Sequence, residues 1–320
     1  MNQLYPWLES IWQEWQASLE ADRFSNASIL SVDNGLGAEK LVELFARSVM
    51  CSNYATEACG FCHSCQLMSS GSHPDYHVIK PEKEGKTITV DQIRHCNRLA
   101  QESSQLAGIR LFIIEPAESM NESAANALLK TLEEPSGNCL FLLVTYRANS
   151  LLPTIVSRCQ QWSITNPDSV SVANWLAEQQ AKEVPAYAAH INNNAPLKAL
   201  EFANQGNVEH YQQFEKQLIA LAKGQGDVVK LAKELAANPN EYLPWLWYLL
   251  TDAQKVHFGL NEPFFTPGSR ALAQCLSYDI LYQQALILSA LIEQLREHPG
   301  LNSELLILDW LFKFNEESCL

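Results

Sequence analysis

The chain has 320 residues, with 22 Lys and Arg against 36 Asp and Glu, so its formal net charge is −14. The acidic residues are spread along the whole chain. This argues against a protein that grips nucleic acid by itself, because that affinity comes mainly from basic side chains on phosphates. A share in a composite DNA-binding surface remains compatible with it. The 47% hydrophobic content supports a sizeable core, and the length predicts two or three domains.

The N-terminal segment does not have the pattern of a signal peptide. It reads MNQLYPWLESIWQEW, without a basic stretch followed by an apolar run. The apolar runs are also shorter than the roughly 18 residues that a membrane-spanning helix needs. We therefore expect a cytoplasmic protein that does not contact membranes.

The first half of the chain alternates predicted strands and helices, which indicates a doubly wound parallel sheet. Asn121 and Asp91 are predicted to cap two of the helices, and Ile93, Leu99 and Leu106 are predicted to face the core. The predicted strands are 28–32, 76–80, 110–114 and 139–144, and the predicted helices are 40–50, 90–105 and 121–132.

No strand is predicted after residue 170. Short helices are expected in 170–204, followed by longer helices at 208–223, 227–237, 241–257, 269–297 (as two helices) and 303–314. The last helix is predicted to bury one broad apolar face, which consists of Leu305, Leu306, Leu308, Leu311 and Phe312. This half is therefore expected to be all-helical.

Four of the nine cysteines have the spacing C-x7-C-x2-C-x2-C: Cys51, Cys59, Cys62 and Cys65. In a reducing compartment such a cluster does not indicate disulfides. Four thiolates form a closed tetrahedral zinc site, which is structural because no position remains for water. We predict one structural Zn²⁺ per chain. His63 could substitute for a ligand, but four cysteines suffice, and four unrelated buried thiols are the alternative. The isolated cysteines are predicted to be small core residues: Cys96, Cys139, Cys159, Cys275 and Cys319.

A glycine loop follows the first predicted strand, as a P-loop does, but the phosphate-binding residues are missing. A P-loop needs G-x-x-x-x-G-K-[ST]. Here Gly35 and Gly37 remain, Ala38 replaces the lysine and Glu39 replaces the serine or threonine, while Lys40 comes two positions late. We expect no bound ATP at this degenerate P-loop. An ordinary glycine turn is the alternative.

The second nucleotide element is altered as well. A strand at 110–114 should end in an aspartate for Mg²⁺, followed by an acidic residue. Glu115 and Pro116 stand there instead, and proline cannot polarise water. Glu115 and Glu118 carry carboxylates that suit a metal, although exposed carboxylates usually face solvent. These changes predict that the chain has no intrinsic ATPase activity.

Three further motifs complete the pattern: GSHPDY at 71–76, SAANALLKTLEEP at 123–135 and LLPTIVSRC at 151–159. Together with the cysteine spacing and the altered P-loop, they closely resemble the delta-prime family of bacterial DNA polymerase III clamp-loader subunits. The resemblance is strong over residues 20–165 and extends in layout to residue 320. The degenerate P-loop and the lack of a long C-terminal extension favour delta-prime over the ATP-hydrolysing gamma/tau subunits.

The resemblance implies an AAA+ module and a collar. Its first part would be a RecA-like α/β domain at 1–165, with a parallel sheet, flanking helices and a zinc-module insertion at 51–65. A small helical lid at 166–208 would follow. An all-α collar domain for oligomerisation would occupy 209–320.

The same resemblance implies roles for single residues. Ser157, Arg158 and Cys159 match the family's Ser-Arg-Cys motif, so Arg158 would be an arginine finger that acts in trans on the ATP of a neighbouring subunit. No residue would be catalytic in cis. Thr145 falls at the sensor-1 position, and Leu197 replaces the sensor-2 arginine of active relatives.

The implied function is that of a non-hydrolysing stator in the clamp loader of the DNA-directed DNA polymerase holoenzyme, a nucleotidyltransferase complex. Its partners would be the gamma/tau ATPase subunits and the delta subunit in a hetero-pentamer. The assembled complex would load the beta sliding clamp onto primer-template DNA during DNA replication. Two alternatives are an active AAA+ ATPase with an unusual P-loop and a zinc-containing adaptor unrelated to replication.

Overall fold

The computed structural model describes residues 4–83, 85–106, 108–134, 138–179, 184–298 and 300–318. It divides into two compact units, Met1–Asn166 and Pro167–Leu320. Some parts of the predicted pattern lie outside the described residues: residues 1–3 of the N-terminal segment, Pro135 of the SAANALLKTLEEP motif, residues 180–183 and Cys319.

The first unit is built on a five-stranded sheet in which every neighbouring pair is parallel. The strands lie in the spatial order β2-β3-β4-β1-β5. They are β1 (Ala27–Ser31), β2 (Tyr76–Ile79), β3 (Arg110–Ile114), β4 (Cys139–Thr145) and β5 (Gln160–Ser163). The predicted parallel sheet is confirmed. Strand β5 was not predicted, because its sequence QQWS contains a single apolar residue and therefore no apolar run.

Helices cover both faces of this sheet. They are α1 (Glu9–Glu20), α2 (Ala38–Val49), α3 (His63–Ser70), α4 (Val90–Gln101), α5 (Glu122–Glu133) and α6 (Pro153–Val156). Side chains alternate along each strand. Leu111 and Ile113 of β3 accordingly pack in one cluster with α1 and α2, while Phe112 and Ile114 pack in another with α4 and α5. The predicted α/β class of this half is confirmed.

The helix caps were predicted with mixed success. Asn121 caps α5 as predicted, because its side chain accepts a backbone N–H of the first turn. The predicted cap of α4 is wrong. Thr89 rather than Asp91 occupies that position, in a capping box with Gln92. This helix ends before the predicted residue 105, and Leu106 is 39% exposed instead of facing the core.

The described residues of the second unit form helices and connecting loops, with no strand among them. It contains α7 (Ser169–Glu178), α8 (Ala188–Ile191), α9 (Pro196–Asn204), α10 (Asn207–Ala222), α11 (Val228–Leu235), α12 (Pro239–His257), α13 (Ser269–Cys275), α14 (Tyr278–Glu297) and α15 (Ser303–Ser318). The predicted break within 269–297 is confirmed. Across the described chain, no single helix has the length and apolar character needed to cross a membrane, although α13 and α14 pass the same test as one bent pair.

The apolar face predicted for α15 is partly wrong. Leu311 is buried as predicted, but Leu305 is 61% exposed and Phe312 is 47% exposed. Over residues 303–314, the side chains of this helix that are fully buried are Ile307, Trp310, Leu311 and Phe314. The helix carries apolar side chains on most of its circumference, so the periodicity of the sequence does not determine which face packs against the core.

Two buried carboxylates hold the segment between α12 and α13. Asp252 accepts a hydrogen bond from the Thr266 backbone N–H at 3.0 Å, and Glu215 accepts one from the Gly268 backbone N–H at 2.7 Å. His190 approaches Asp252 to 2.9 Å. These bonds satisfy charged groups that would otherwise be costly to bury.

Candidate functional site

The glycine loop lies at the carboxyl edge of the sheet, between β1 and α2, where open α/β sheets bind their ligands. Gly37 caps α2 with a φ of 72°, a conformation that glycine adopts without strain. Leu36 is fully buried, and Ala38 is only 1% exposed. The position at which a P-loop carries its lysine is therefore enclosed by packing.

The N-terminal segment lies against this loop. Trp7 donates a hydrogen bond from its indole N–H to the Leu36 carbonyl at 2.7 Å. The Tyr5 and Trp7 rings are stacked, with centroids 4.9 Å apart. The Lys40 ammonium lies 3.7 Å from the centre of the Tyr5 ring, a cation–π contact. Lys40, which lies two positions after the P-loop lysine position, is thus engaged by an aromatic ring.

The carboxylates after β3 also make internal contacts. Tyr146 donates its hydroxyl to Glu115 at 2.6 Å. Burial, followed by this hydrogen bond, raises the pKa of Tyr146 far above its usual range. Glu118 accepts a hydrogen bond from the hydroxyl of Thr145, the sensor-1 candidate, at 2.8 Å, and forms an ion pair with Arg147 at 3.9 Å. These groups form one polar network within the unit.

The Ser-Arg-Cys motif begins directly after α6. Cys159 is buried, and burial raises the pKa of its thiol to about 11, so this residue is an uncharged anchor in the core. Ser157 and Arg158 point outward. The Arg158 Nε donates to the Glu133 Oε1 at 2.6 Å, and Nη1 donates to the Thr154 carbonyl at 2.8 Å. A third of the arginine side chain remains exposed.

The four clustered cysteines converge in space. The Sγ atoms of Cys51, Cys59, Cys62 and Cys65 all lie within 4.8 Å of one another, and those of Cys59 and Cys65 are 3.9 Å apart. A tetrahedral zinc site with Zn–S bonds of about 2.3 Å requires sulfurs about 3.8 Å apart. Burial raises the pKa of Cys65 to about 12, and a metal cation would favour its thiolate. The cluster is compatible with a structural zinc site.

The GSHPDY motif links the cysteine module to the sheet. Ser64 of α3 lies 2.6 Å from the His73 Nε2, and Nδ1 of this histidine accepts the Asp75 backbone N–H at 3.2 Å. The Asp75 carboxylate forms a buried ion pair with Arg110 of β3 at 3.5 Å. Because Nδ1 accepts a hydrogen bond, Nε2 carries the proton and donates to Ser64. These contacts therefore connect α3 to the sheet. They do not make Ser64 a nucleophile, because His73 donates a proton to it and does not act as its base.

Comparison with known proteins decides the family. A model described as "DNA polymerase III, delta subunit" matches residues 7–168, and one described as "DNA polymerase III, delta subunit, C terminal" matches 205–316. The DNA polymerase III subunit delta' of Haemophilus influenzae is 33% identical over 99% of this chain and 98% of that protein. The chain belongs to the DNA polymerase III delta-prime family.

Two further delta-prime proteins agree with this assignment. The Escherichia coli protein is 33% identical, over 97% of this chain and 94% of its own length. The Pseudomonas aeruginosa protein is 36% identical, over 75% of this chain and 73% of its own length. The predicted family is confirmed, and so are the parallel sheet with flanking helices and the helical second half.

Contacts that were not predicted from the sequence also contribute to these sites. Sequence reasoning missed Tyr5 and Trp7, which lie against the glycine loop, and it did not connect Glu133 with Arg158. The signals were weak: two aromatic residues near the N-terminus, and one of two adjacent glutamates in LEEP. Leu197, at the predicted sensor-2 position, lies half-buried in the first turn of α9.

Proposed function

We propose that this chain is a non-hydrolysing subunit of the clamp loader and supplies Arg158 in trans to ATP held by a neighbouring gamma/tau subunit. One contrast supports the proposal. At the glycine loop, Ala38 is buried and Lys40 contacts Tyr5, so this described loop presents no lysine at the P-loop position. The Arg158 guanidinium, by comparison, contacts Glu133 and Thr154 at the surface, and its side chain remains a third exposed.

An arginine suits this role for electrostatic reasons. Its guanidinium stays charged at every physiological pH and offers planar, bidentate donors to phosphate oxygens. In related systems an arginine finger raises the rate of phosphoryl transfer by about 10³–10⁵. The chain would therefore affect ATP hydrolysis without binding ATP itself.

The remaining parts would organise the assembly. In this proposal, residues 166–208 form the lid and 209–320 the collar that packs against the gamma/tau and delta subunits. One structural zinc holds the module at 51–65. The assembled pentamer, and not this acidic chain alone, meets the beta clamp and primer-template DNA in the cytoplasm during replication.

The decisive experiment is reconstitution with gamma/tau and delta subunits. We expect Arg158→Ala to assemble normally, because the side chain adds little interface area, and to lower the DNA- and clamp-stimulated ATPase rate at least severalfold. Arg94→Ala is the matched control, since Arg94 is also an exposed arginine in an ion pair. An unchanged rate in the Arg158 variant would refute the trans role.

The non-hydrolysing part is tested separately. The isolated chain should show no binding in a titration with a fluorescent ATP analogue and no phosphate release. Micromolar binding together with turnover would favour an active ATPase with an unusual P-loop. Failure to associate with gamma/tau would favour the unrelated zinc adaptor instead.

A further inference from the structure

The ion pair between Arg158 and Glu133 joins two motifs that are 25 residues apart in the chain. Both Nε and Nη2 of the arginine contact the same oxygen, Glu133 Oε1. The remaining nitrogen, Nη1, donates to the Thr154 carbonyl at 2.8 Å. One side of the guanidinium thus forms an ion pair with a carboxylate, and Nη1 is hydrogen-bonded to a backbone oxygen of α6.

These contacts do not use all the N–H donors of the guanidinium. A guanidinium carries five N–H donors in a fixed plane. Glu133 occupies the side formed by Nε and Nη2. Nη1 donates to the Thr154 carbonyl at 2.8 Å and lies 3.5 Å from the Ser157 Oγ. The second contact is at the outer limit of a hydrogen bond, so a phosphate oxygen can replace it. The outer N–H groups of Nη1 and Nη2 form the other fork, and the side chain is a third exposed. A bidentate phosphate contact requires such a fork.

We propose that Glu133 is a positioning residue for Arg158, which it orders so that the outer fork faces the phosphates of a neighbouring subunit's nucleotide. This inference rests on the trans role proposed above. An unrestrained arginine samples many rotamers, and ordering them when the neighbour arrives opposes productive contact. Holding the guanidinium beforehand raises the fraction of complexes in which the finger is in place.

The location of Glu133 supports a role in this pair over a role in helix stability. It is the last residue of α5, where the helix dipole disfavours a negative charge. Arg158 follows the short helix α6, and its guanidinium reaches the end of α5, where a positive charge is favoured. The carboxylate is therefore poorly placed for its own helix and well placed for the arginine.

The chain provides a matched control in the adjacent Glu134. Both glutamates lie at the C-terminal end of α5 and are exposed, so Glu133→Gln and Glu134→Gln remove the same charge from nearly the same place. In the reconstituted complex we expect Glu133→Gln to lower the stimulated kcat about two- to fivefold, the range for exposed ion pairs. The KM for ATP and the assembly should stay unchanged, and Glu134→Gln should match wild type.

A double-variant cycle shows whether the effect passes through Arg158. In an Arg158→Ala background, Glu133→Gln should cause no further loss. The difference between Glu133→Gln and wild type should shrink in high salt, which screens exposed charges. Glu133→Asp, which keeps the charge on a shorter side chain, should restore part of the rate.

Two failures are distinguishable. If Arg158→Ala lowers the rate and Glu133→Gln does not, positioning by Glu133 is wrong and the trans role stands. If Arg158→Ala has no effect, both fail. A higher rate in Glu133→Gln would overturn the inference as well, because it would make the ion pair a restraint that competes with phosphate.

Discussion

The Lys40 ammonium lies over the Tyr5 ring, 3.7 Å from its centre, at the loop where a P-loop would hold phosphate. Trp7 stacks on the same ring and donates to the Leu36 carbonyl. The N-terminal segment thus packs against the glycine loop and contacts Lys40, the lysine that follows it. At this edge of the sheet, the groups that remain of the P-loop pattern therefore make contacts within the unit.

Restoring the P-loop lysine alone should not restore binding. Ala38→Lys places a long side chain at a position that is 1% exposed, so we expect the free energy of unfolding to fall by about 1–3 kcal/mol, as in other overpacked sites. Urea unfolding and titration with a fluorescent ATP analogue measure both effects. Glu39→Thr, at an exposed neighbouring position, should change stability by less than about 0.5 kcal/mol. Micromolar ATP binding by Ala38→Lys would contradict the packing explanation.

Metal content tests the cysteine cluster. Elemental analysis of the undisturbed chain should find one zinc per chain, and Cys62→Ala should lose the metal together with the order of residues 51–65, because a structural zinc stabilises its own module. Hydrogen exchange over that segment reports the second effect. Cys275→Ala, outside the cluster, should retain its zinc. Wild-type chain purified without chelators and free of zinc would exclude the site.

Gly268→Ala should destabilise the helical unit. A Cβ atom at this residue would lie 2.6 Å from Cγ and Cδ of Glu215, and that carboxylate is fixed by bonds from Tyr211 and from the Gly268 backbone. We expect a loss of about 1–3 kcal/mol in the free energy of unfolding, measured by urea unfolding. Gly300→Ala meets open space and is the control. Equal stability of the two variants would show that Glu215 moves aside easily.

Asp252 should make stability depend on pH. Burial by itself would raise its pKa, but the hydrogen bond from His190 and the Thr266 N–H outweigh burial and lower the pKa below the usual 3.8. A carboxyl with a lowered folded-state pKa stabilises the fold above its unfolded pKa, and this contribution disappears as the pH falls through the folded value.

Asp252→Asn is therefore expected to cost about 1–3 kcal/mol at neutral pH and progressively less below about pH 4. Urea midpoints followed by circular dichroism between pH 3 and pH 7 measure this trend. Asp309→Asn, at an exposed ion pair with Lys313, should show little change at any pH. A cost for Asp252→Asn that is constant with pH would contradict the assigned charge state.

Structural features that depend on a few neighbouring residues were the easiest to predict from the sequence. The buried strand Arg110–Ile114 and the cap Asn121 were predicted correctly, because a continuous apolar run and an N-cap side chain act within a few residues. The cap of α4 was placed at Asp91, although T-x-x-Q at Thr89 is an equally local signal that was overlooked.

The remaining features depend on tertiary packing. The pair between Arg158 and Glu133 joins the ends of two different helices. Phe312 faces solvent because the core is filled from other arcs of its helix, and no periodicity records that choice. The convergence of the cysteines was predictable because a metal-ligand spacing encodes its own geometry.

The enclosure of Ala38 and Leu36 has a consequence for how such a loop evolves. A lysine introduced at position 38 would clash with the residues that enclose this position. Removal of Tyr5 or Trp7 would remove contacts to the loop around Leu36, and no bound nucleotide would replace them. We therefore expect each single substitution toward a functional P-loop to lower stability without creating a phosphate site by itself. Restoring phosphate binding at this loop would then require several substitutions at once.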